Sequence, residues 1–457
     1  MPLSPRPPVG SVPRAFADLA AQDVFFVALE DGTEVAVRND LRRVTTYVLI
    51  EQGRWFEHEW GLLPRIVGPG DTVFDVGANH GVYALPLARR VGPSGRVVAF
   101  EPGEDPASLM ATAAARGGLS ALDLRRVAVT ERDGRTFLVG GGGGEEARIA
   151  NDGVPVPTRR LDTVWRELGR PELALLKVDA EGAEERVFEG ARELLAETSP
   201  VVMFEISGSA ERAATLSRRL AAHGFAPYRY LPRFGLLVPL TPDHRDGHQL
   251  NLLALKPETA AALAERGLLV EDAGADGPEE DAESMVALLR APGAVPPAER
   301  LARARAALRH FAPRLENGGA APVYPDHALV YRLLVALGEI EGAARVLGAV
   351  QRRIEHGLPA SQPILALAPW LDGVAAGDEL PAWVRMDILD RLLRGHNWSS
   401  RFLPGEILGI LEELRANPFF PEPLERRRQL RRTMRGLQPA LEPGPATAAL
   451  RVPALST

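Results

Sequence analysis

Thr72-Val-Phe-Asp-Val-Gly-Ala-Asn-His-Gly81 is an apolar run that ends in a loop of small residues, and it decides the fold. The residues from Val73 to Val76 predict a buried parallel strand, and Gly77 and Gly81 allow a tight turn beside a ligand. The pattern from Val82 to Arg90 predicts a helix. A strand, a glycine loop and a helix in this order are typical of a turn that binds a nucleotide or a related cofactor.

The spacing of this loop differs from that of a dinucleotide-binding loop. In G-x-G-x-x-G the middle glycine lets a pyrophosphate approach, whereas Asn79 takes that position here. Asp75 would repel a phosphate but suits an ammonium group or ligand hydroxyls. We therefore predict a cofactor with a positive charge and no pyrophosphate, which describes S-adenosylmethionine better than NAD. The predicted cofactor contacts in the loop are Asp75, Gly77, Ala78, Asn79, His80 and Gly81, although His80 could equally serve packing or helix capping.

A second acid follows the next predicted strand. The run Arg96-Val-Val-Ala-Phe-Glu-Pro102 is apolar and ends at Glu101. An acid in this position typically accepts hydrogen bonds from both ribose hydroxyls. Glu101 and Pro102 therefore complete the predicted cofactor site. The alternative is a solvated strand end followed by a proline stop.

Composition limits the class of protein. A formal net charge of −7 over 457 residues argues against a nucleic-acid binder that works by electrostatics. No cysteine is present, which excludes disulfides, thiolate metal sites and cysteine nucleophiles. No apolar run approaches the length of a membrane span, and 1–10 lacks the apolar core of a signal peptide. The default expectation is a cytoplasmic protein.

Short apolar runs alternate with helical patterns from Asp71 to about Lys256, which predicts an α/β fold with a doubly wound, mostly parallel, seven-stranded sheet. A hairpin is predicted over 25–37, a short helix over 57–67 and a flexible loop over 140–144. The predicted strands of the sheet are 72–76, 97–101, 122–129, 174–179, 201–206, 225–231 and 250–255.

The second half of the chain has helical patterns throughout, at 297–315, 327–354, 380–393 and 406–415. Residues 337–344 resemble one tetratricopeptide-type hairpin, and 426–435 predicts a basic helix with a solvated face. We predict a flexible segment over 1–22, an α/β domain over 23–258, a linker over 259–284, an α-helical domain over 285–436 and a disordered tail over 437–457. The helical domain is a candidate for binding a protein partner or for self-association.

The fourth strand of the α/β domain carries the second strong motif, Leu175-Leu-Lys-Val-Asp-Ala-Glu-Gly-Ala-Glu184. Lys177 and Asp179 are two residues apart, so they project to the same side at the edge where such sheets bind ligands. Glu181 is predicted to begin a helix that runs to about Leu195. The structural alternatives are an N-cap role for Asp179 and a helix-dipole role for Glu181.

Several motifs, in their order along the chain, resemble those of the FkbM family of S-adenosylmethionine-dependent methyltransferases. The resemblance covers about Phe25 to Lys256 and implies a class I methyltransferase fold and transfer of a methyl group, typically to a hydroxyl of a sugar or a polyketide-like natural product. The motifs are Asp75-Val-Gly-Ala-Asn-His-Gly81, Phe100-Glu-Pro102, Leu161-Asp162, Leu176-Lys-Val-Asp-Ala-Glu-Gly-Ala-Glu184, Val202-Met-Phe-Glu205 and Asn251.

Methyl transfer to a hydroxyl requires an aligned acceptor and a group that takes its proton. Asp179 is the first candidate for the general base, and Lys177 could orient it or stabilise a developing alkoxide. Glu205 could bind acceptor hydroxyls or serve as the alternative base, and Glu181 completes the predicted catalytic set. Oxygen ligands from Asp179 and Glu205 would also suit Mg²⁺, although nothing in the spacing demands a metal. A polar solvated loop explains the two histidines of 243–248 more simply than a metal site.

Two other classes of function stay open. One is a scaffold that binds the cofactor without turnover while the helical domain binds a partner. The other is a nicotinamide-dependent oxidoreductase, which Asn79 disfavours. The expected acceptor is a small molecule or a glycan.

Overall fold

The computed structural model describes residues 23–140, 147–206, 209–241, 249–271, 284–285, 288, 295–316, 324–343, 345–346, 399, 407–414 and 422–437. The chain forms two compact units, one of Met1–Tyr228 with Asn251–Ala262 and the other of Arg229–Leu250 with Leu263–Thr457. The domain boundaries predicted from composition stay a prediction. Within the described ranges, no helix is both long enough and apolar enough to cross a bilayer.

The strands are β1 (Val24–Ala28), β2 (Glu34–Arg38), β3 (Thr72–Val76), β4 (Arg96–Phe100), β5 (Leu122–Arg125), β6 (Ala128–Val129), β7 (Gly134–Val139), β8 (Arg148–Ala150), β9 (Val154–Arg159), β10 (Leu175–Val178), β11 (Val201–Glu205), β12 (Ala226–Leu231), β13 (Leu236–Pro239) and β14 (Asn251–Leu255). The α-helices are α1 (Val44–Gln52), α2 (Leu63–Ile66), α3 (Ala84–Val91), α4 (Glu104–Gly117), α5 (Leu161–Glu167), α6 (Glu184–Glu189), α7 (Arg192–Glu197), α8 (Ala210–Ala221), α9 (Pro257–Glu265), α10 (Pro297–Glu316), α11 (Tyr324–Ala336), α12 (Ile407–Leu414) and α13 (Glu422–Leu437).

The largest sheet has eight strands in the order β13-β12-β14-β11-β10-β3-β4-β5. Its five strands from β5 to β11 are parallel, whereas β14 runs antiparallel to both β11 and β12. All seven predicted strands contribute to this sheet, which confirms the predicted α/β class. The eighth strand, β13, was not predicted.

The chain reverses its winding direction between β3 and β10. From β3 it proceeds through β4 to β5 on one side, and from β10 it continues to β11 on the other. Lys177 and Asp75 are partners in the register of these two central strands. Ligands of open α/β sheets bind outside the carboxyl ends of the strands at such a reversal. The topology therefore directs attention to the loops that follow β3 and β10.

The central strands are buried because their sequences are almost continuously apolar. Phe74 of β3 and Phe100 of β4 are fully buried, and their rings meet edge to face with centroids 5.6 Å apart. Full burial of one such side chain contributes roughly 1.5–3 kcal/mol. The packed sheet thus gives the loops at its edge a rigid base.

The strand predicted over 122–129 is wrong in its second half. The chain leaves the large sheet after Arg125, and Ala128–Val129 joins a separate sheet with the order β6-β9-β7-β8. The charged pair Arg125-Arg126 interrupts the apolar run at this point. The core of the small sheet contains Ala128, Leu138 and Val156.

Two predicted helices differ from the observed ones. The helix predicted to begin at Glu181 begins at Glu184, because Glu181 and Gly182 adopt φ values of +49° and +97°, which an α-helix does not allow. A second helix then runs over 192–197. The helix predicted over 57–67 is a 3-10 helix, His58–Gly61, followed by α2. Part of the predicted linker over 259–284 belongs to α9.

In the second unit, α10 and α11 share a core with residues 231–238, built around Phe234, Leu301 and Leu333. The helical pattern predicted over 327–354 is interrupted after Ala336, and Gly338 adopts φ +73°. Residues 347–354 lie outside the described residues. Helices α12 and α13 confirm the helical segments predicted near 406–415 and 426–435. Several segments with predictions lie outside the described residues: 1–22, 141–144, 243–248, 380–393 and 438–457. The tetratricopeptide interpretation stays a prediction.

Candidate active site

A cleft lies at the carboxyl ends of β3, β4 and β10, with about 870 Å³ of empty space that is partly open to solvent. The edge formed by the carboxyl ends of the strands is where open α/β sheets bind small molecules. Nine of the predicted site residues line the cleft: Gly77, Ala78, Asn79, His80, Glu101, Pro102, Lys177, Asp179 and Glu181. Asp75, Gly81 and Glu205 do not belong to its described lining.

The amides of the loop after β3 are already used within the protein. The N–H groups of Gly77 and Ala78 donate to the carbonyl of Phe100 at 3.0 and 3.1 Å, and the N–H of Asn79 donates to Glu101 Oε2 at 2.8 Å. A phosphate-binding loop needs such amides to point at its ligand. This arrangement agrees with the prediction that the loop carries no pyrophosphate site.

Glu101 is the acid that reaches the cleft from the end of β4. Its Oε1 accepts from the N–H of Gly103 at 2.6 Å, while Oε2 accepts from Asn79. Burial raises the pKa of Glu101 to about 7, and these two backbone hydrogen bonds limit the rise. The two hydrogen bonds fix the carboxylate at the cleft and leave lone pairs for ligand hydroxyls.

Gly77 is required because two loops approach each other closely at this point. Its φ is +75°, and a Cβ atom placed there would lie 1.7 Å from the carbonyl oxygen of Asp179.

Gly81 differs from the cofactor contact that the sequence predicted. A Cβ there would lie 2.7 Å from Met110 Cγ, so this glycine permits packing against α4 rather than contact with a ligand.

His80 is fully buried beneath the loop, and its Nδ1 lies 2.5 Å from Oδ1 of Asn79. Burial lowers the pKa of His80 to about 4, and the nearby Arg43 guanidinium adds to this effect. The imidazole is therefore neutral near pH 7. A neutral, buried side chain that orders Asn79 fits the packing role that we considered for His80.

Lys177 joins two acids at the end of the central strands. Its Nζ lies 3.0 Å from Asp179 Oδ2 and 3.7 Å from Asp75 Oδ1. Burial would lower the pKa of Lys177, but the carboxylates of Asp179, Asp75 and Glu57 outweigh this effect and raise that pKa. The ammonium group is therefore held charged at the wall of the cleft.

Asp75 is fully buried and faces Lys177. The sequence predicted a direct cofactor contact for this acid, whereas the structure places its carboxylate behind the cleft wall. Burial raises the pKa of Asp75, and the Lys177 ammonium opposes that rise. Its strongest influence on a ligand is therefore expected to pass through Lys177.

Glu181 stands on the rim of the cleft, on the turn between β10 and α6, and is exposed. Glu184 stabilises this turn, because its Oε1 accepts from the N–H groups of Ala180 and Gly182 at 2.9 and 3.2 Å. Glu184 is itself buried and forms an ion pair with Arg212. The quoted motif contained Glu184 without a role, and the structure assigns it the support of the turn.

Glu205 ends β11, one strand farther from β3, where it is in register with Asn251 of β14. Its predicted part in acceptor binding or as an alternative base stays a prediction. The described residues contain no group of three or more His, Asp or Glu side chains arranged to hold a metal ion. The Mg²⁺ hypothesis, which relied on Asp179 and Glu205, gains no support from this geometry.

Sequence reasoning missed the acids of Trp55-Phe-Glu-His-Glu-Trp60. Glu57 is buried, and its Oε2 accepts from the Tyr83 hydroxyl at 2.5 Å and from Asn251 Nδ2 at 3.1 Å. Burial raises the pKa of Glu57, and it raises that of Glu59 to about 8. The signal in the sequence was two acids among aromatic residues, a setting that predicts burial. Buried acids are rare unless they are paired.

Part of the lining of the cleft is apolar. It is formed by the small sheet and the residues just before it, from Val127 to Val129 together with Leu138 and Ile149. The polar side chains of Glu101, Lys177 and Asp179 belong to the same lining. An apolar lining with a few convergent polar groups is the usual form of a small-molecule site.

The doubly wound sheet, its reversal between β3 and β10 and the acids at the ends of β3, β4 and β10 define a Rossmann-like, class I methyltransferase fold. Residues 75–227 match a family model described as the methyltransferase FkbM domain. The resemblance predicted from the motifs is therefore confirmed for these residues.

One curated relative is the 2-O-methyltransferase NoeI of Sinorhizobium fredii (strain NBRC 101917 / NGR234). It is 28% identical to this chain over a match that covers 28% of the chain and 61% of the relative. The chain thus spans less than two thirds of the length of that relative. Glu57 and Asn251 lie outside the residues that the family model covers.

Solved structures of methyltransferases are also similar. Methyltransferase FkbM from Methylobacillus flagellatus KT is 17% identical, with a TM-score of 0.29 over 52% of this chain and 57% of that one. An S-adenosylmethionine-dependent O-methyltransferase of Thermotoga maritima is 15% identical, with a TM-score of 0.27 over 51% of this chain and 92% of that one. These scores are too low to bear on cofactor or substrate.

Proposed function

We propose that this chain transfers a methyl group from S-adenosylmethionine to a hydroxyl of a sugar, a glycan or another natural product. The observation that supports this proposal is that Glu101 and Asp179 share one cleft. The first acid suits the ribose hydroxyls of the cofactor, and the second suits the proton of an acceptor. The name of the similar 2-O-methyltransferase supports oxygen as the acceptor atom.

The residues of the cleft fit this cofactor. Glu101 is fixed by two backbone N–H groups and keeps acceptor capacity for hydroxyls. The only lysine or arginine in the described lining is Lys177, which Asp179 already engages, so a pyrophosphate would find no partner. When bound, S-adenosylmethionine would supply a methyl group made electrophilic by a positively charged sulfur. The acids around Lys177 favour such a positive charge.

The acceptor side of the reaction belongs to Asp179. Its Oδ2 accepts a hydrogen bond from Lys177. We therefore assign Oδ1 as the oxygen that receives the acceptor proton. The Lys177 ammonium stabilises negative charge that develops on the acceptor oxygen. Glu181, exposed on the rim, is placed to bind other hydroxyls of the acceptor, and Glu205 is the alternative base.

Calorimetric titration with S-adenosylmethionine, S-adenosylhomocysteine and NAD tests the cofactor. We expect binding of the first two and none of NAD. Tight binding of NAD with no response to the methionine cofactors would reject the proposal and favour an oxidoreductase. Binding of S-adenosylmethionine without transfer to any acceptor would favour a scaffold.

The acceptor can be sought with a methyl-radiolabelled donor. Fractions of glycans and small molecules from cell extracts are incubated with the protein and the donor, and with the Asp179→Asn variant as a matched control. The expected result is label in a fraction that the variant labels far more slowly. Equal labelling by both proteins would remove Asp179 from the proposed mechanism.

A further inference from the structure

Glu57 lies behind the wall of the cleft, before the first strand of the large sheet. Its side chain is buried, with the whole residue only 8% exposed. The hydroxyl of Tyr83 donates to its Oε2 at 2.5 Å, and Nδ2 of Asn251 donates to the same oxygen at 3.1 Å. Because Tyr83 lines the cleft, Glu57 connects a cleft-lining side chain to strand β14.

Tyr83 carries this connection to Lys177. The Nζ of Lys177 lies 5.0 Å from the centroid of the Tyr83 ring. A cation over an aromatic face is attracted by the ring, more strongly when water is excluded. The hydroxyl of that ring is fixed by Glu57. The position of the Lys177 ammonium, and hence its 3.0 Å contact with Asp179, depends on a side chain that Glu57 holds.

Glu57 also acts on Lys177 through its charge. The ammonium is surrounded by the carboxylates of Asp179, Asp75 and Glu57, and all three favour its charged form. Glu59, two residues from Glu57, is also buried, but the carboxylate that acts most on it is that of Glu57. Glu57 and Glu59 can therefore be compared as two neighbouring buried acids, of which Glu57 acts directly on Lys177 and Glu59 interacts mainly with the Glu57 carboxylate.

We propose that Glu57 is a positioning residue for methyl transfer, which holds the Lys177 ammonium against Asp179 through Tyr83 and through its own charge. The inference rests on the proposed function, because it assigns Glu57 to the same reaction. Glu57 does not contact the reacting atoms. It orients Lys177 and Asp179, which we propose do contact them.

The chain makes this proposal measurable, because Lys177 and Lys256 are its only lysines. With isotopically labelled lysine, NMR shows two side-chain signals, and Lys177→Arg assigns them. The titration is followed in an Asp179→Asn background, which removes the strongest partner of Lys177 and brings its midpoint down. The groups that face Lys177 in that background are Asp75, Glu57 and the Tyr83 ring, and Glu59 interacts with Glu57.

Adding Glu57→Gln is expected to lower the Lys177 midpoint by about one pH unit, since an opposite charge is lost nearby. Glu59→Gln should lower it by less, and Glu57→Asp should restore it. Lys256 should not move in any variant. An unchanged Lys177 midpoint in the Glu57→Gln variant would overturn the proposal.

A second measurement separates this inference from the proposed function. Glu57→Gln alone should bind S-adenosylhomocysteine within about threefold of the parent protein, yet transfer label to the active fraction at least tenfold more slowly. Unchanged transfer would overturn the positioning role. If the parent protein fails to bind S-adenosylhomocysteine at all, the proposed function fails, while the lysine titration still reports whether Glu57 acts on Lys177.

Discussion

Lys177 donates a 3.0 Å hydrogen bond to Asp179 from a position where it is almost fully buried, whereas the Asp179 side chain is 29% exposed at the cleft. One group of the pair is therefore buried and the other is partly exposed to solvent. The buried Lys177 ammonium stays charged because three carboxylates surround it, and the partly exposed Asp179 carboxylate can contact an acceptor. This division supports the roles that we propose for the two residues.

Asp179→Asn is expected to slow methyl transfer by about 10²–10⁴-fold, the usual contribution of a positioned base. Asparagine keeps the shape of aspartate and an oxygen for Lys177, but it cannot take a proton. The affinity for the cofactor should change little. Calorimetry with S-adenosylhomocysteine and the rate of label transfer at saturating donor measure the two effects separately.

The control for this variant is Glu185→Gln, which removes an exposed acid that pairs with Arg219 on the surface. Exposed ion pairs contribute about 0–1 kcal/mol to stability, so transfer should be unaffected. If Asp179→Asn instead loses cofactor binding as fully as transfer, Asp179 belongs to the cofactor site and another acid is the base.

Glu101→Gln is expected to weaken binding of S-adenosylmethionine. Glutamine has no charge and keeps only one acceptor oxygen, so it would lose one of the hydrogen bonds from the amides of Asn79 and Gly103 and would accept more weakly from ligand hydroxyls. Hydrogen bonds to charged groups are worth about 1.5–3 kcal/mol, which corresponds to roughly 10–100-fold in affinity. Calorimetry measures the change. An affinity within twofold of the parent would show that Glu101 only stabilises the loop.

The sequence predicted the large sheet well because its strands are buried apolar runs between clear turn signals. β13 was missed since Leu236–Pro239 is only four residues long and follows a tight turn. The break after Arg125 was missed because apolar residues continue on both sides of it. Which sheet a short strand joins is decided by tertiary packing, which periodicity does not report.

The site was predicted in part. Side chains that follow a strand directly, such as Glu101 and Asp179, do line the cleft, because strand ends fix their position. Glu57 could not be predicted in the same way. It precedes β3 by more than ten residues, and only the packed structure shows that it meets Tyr83 and Asn251. Buried polar contacts between distant segments leave no periodic signal in the sequence.

Gly77→Ala is expected to disrupt the cleft, because its Cβ would lie 1.7 Å from the Asp179 carbonyl oxygen. Gly169→Ala is a matched control. Gly169 has a similar φ of +83°, and a Cβ there meets nothing within 4 Å. The control should lose about 1–3 kcal/mol of stability, which is the cost of a left-handed backbone at a non-glycine residue. Gly77→Ala should lose more stability and also cofactor binding, as urea unfolding and calorimetry would show. Equal effects of the two variants would contradict the close approach of the loops.

The stability of the protein is expected to fall as the pH rises from 6.5 to 8. Burial raises the pKa of Glu101 to about 7 and that of Glu59 to about 8, both above the ordinary value for glutamate. In this interval the folded protein keeps protons that the unfolded chain has released, so each group contributes stability that is lost as the pH passes its folded pKa. The slope is at most about 1.4 kcal/mol per pH unit for each group.

Glu59→Gln tests the origin of that slope, because glutamine resembles the protonated acid and does not titrate. His80 does not disturb the comparison, since its lowered pKa of about 4 affects the parent and the variant alike. Urea midpoints of the parent and the variant at pH 6.5, 7.2 and 8 should therefore diverge, with the smaller decline in the variant. Parallel declines would mean that Glu59 titrates normally and that its carboxylate is not buried as described.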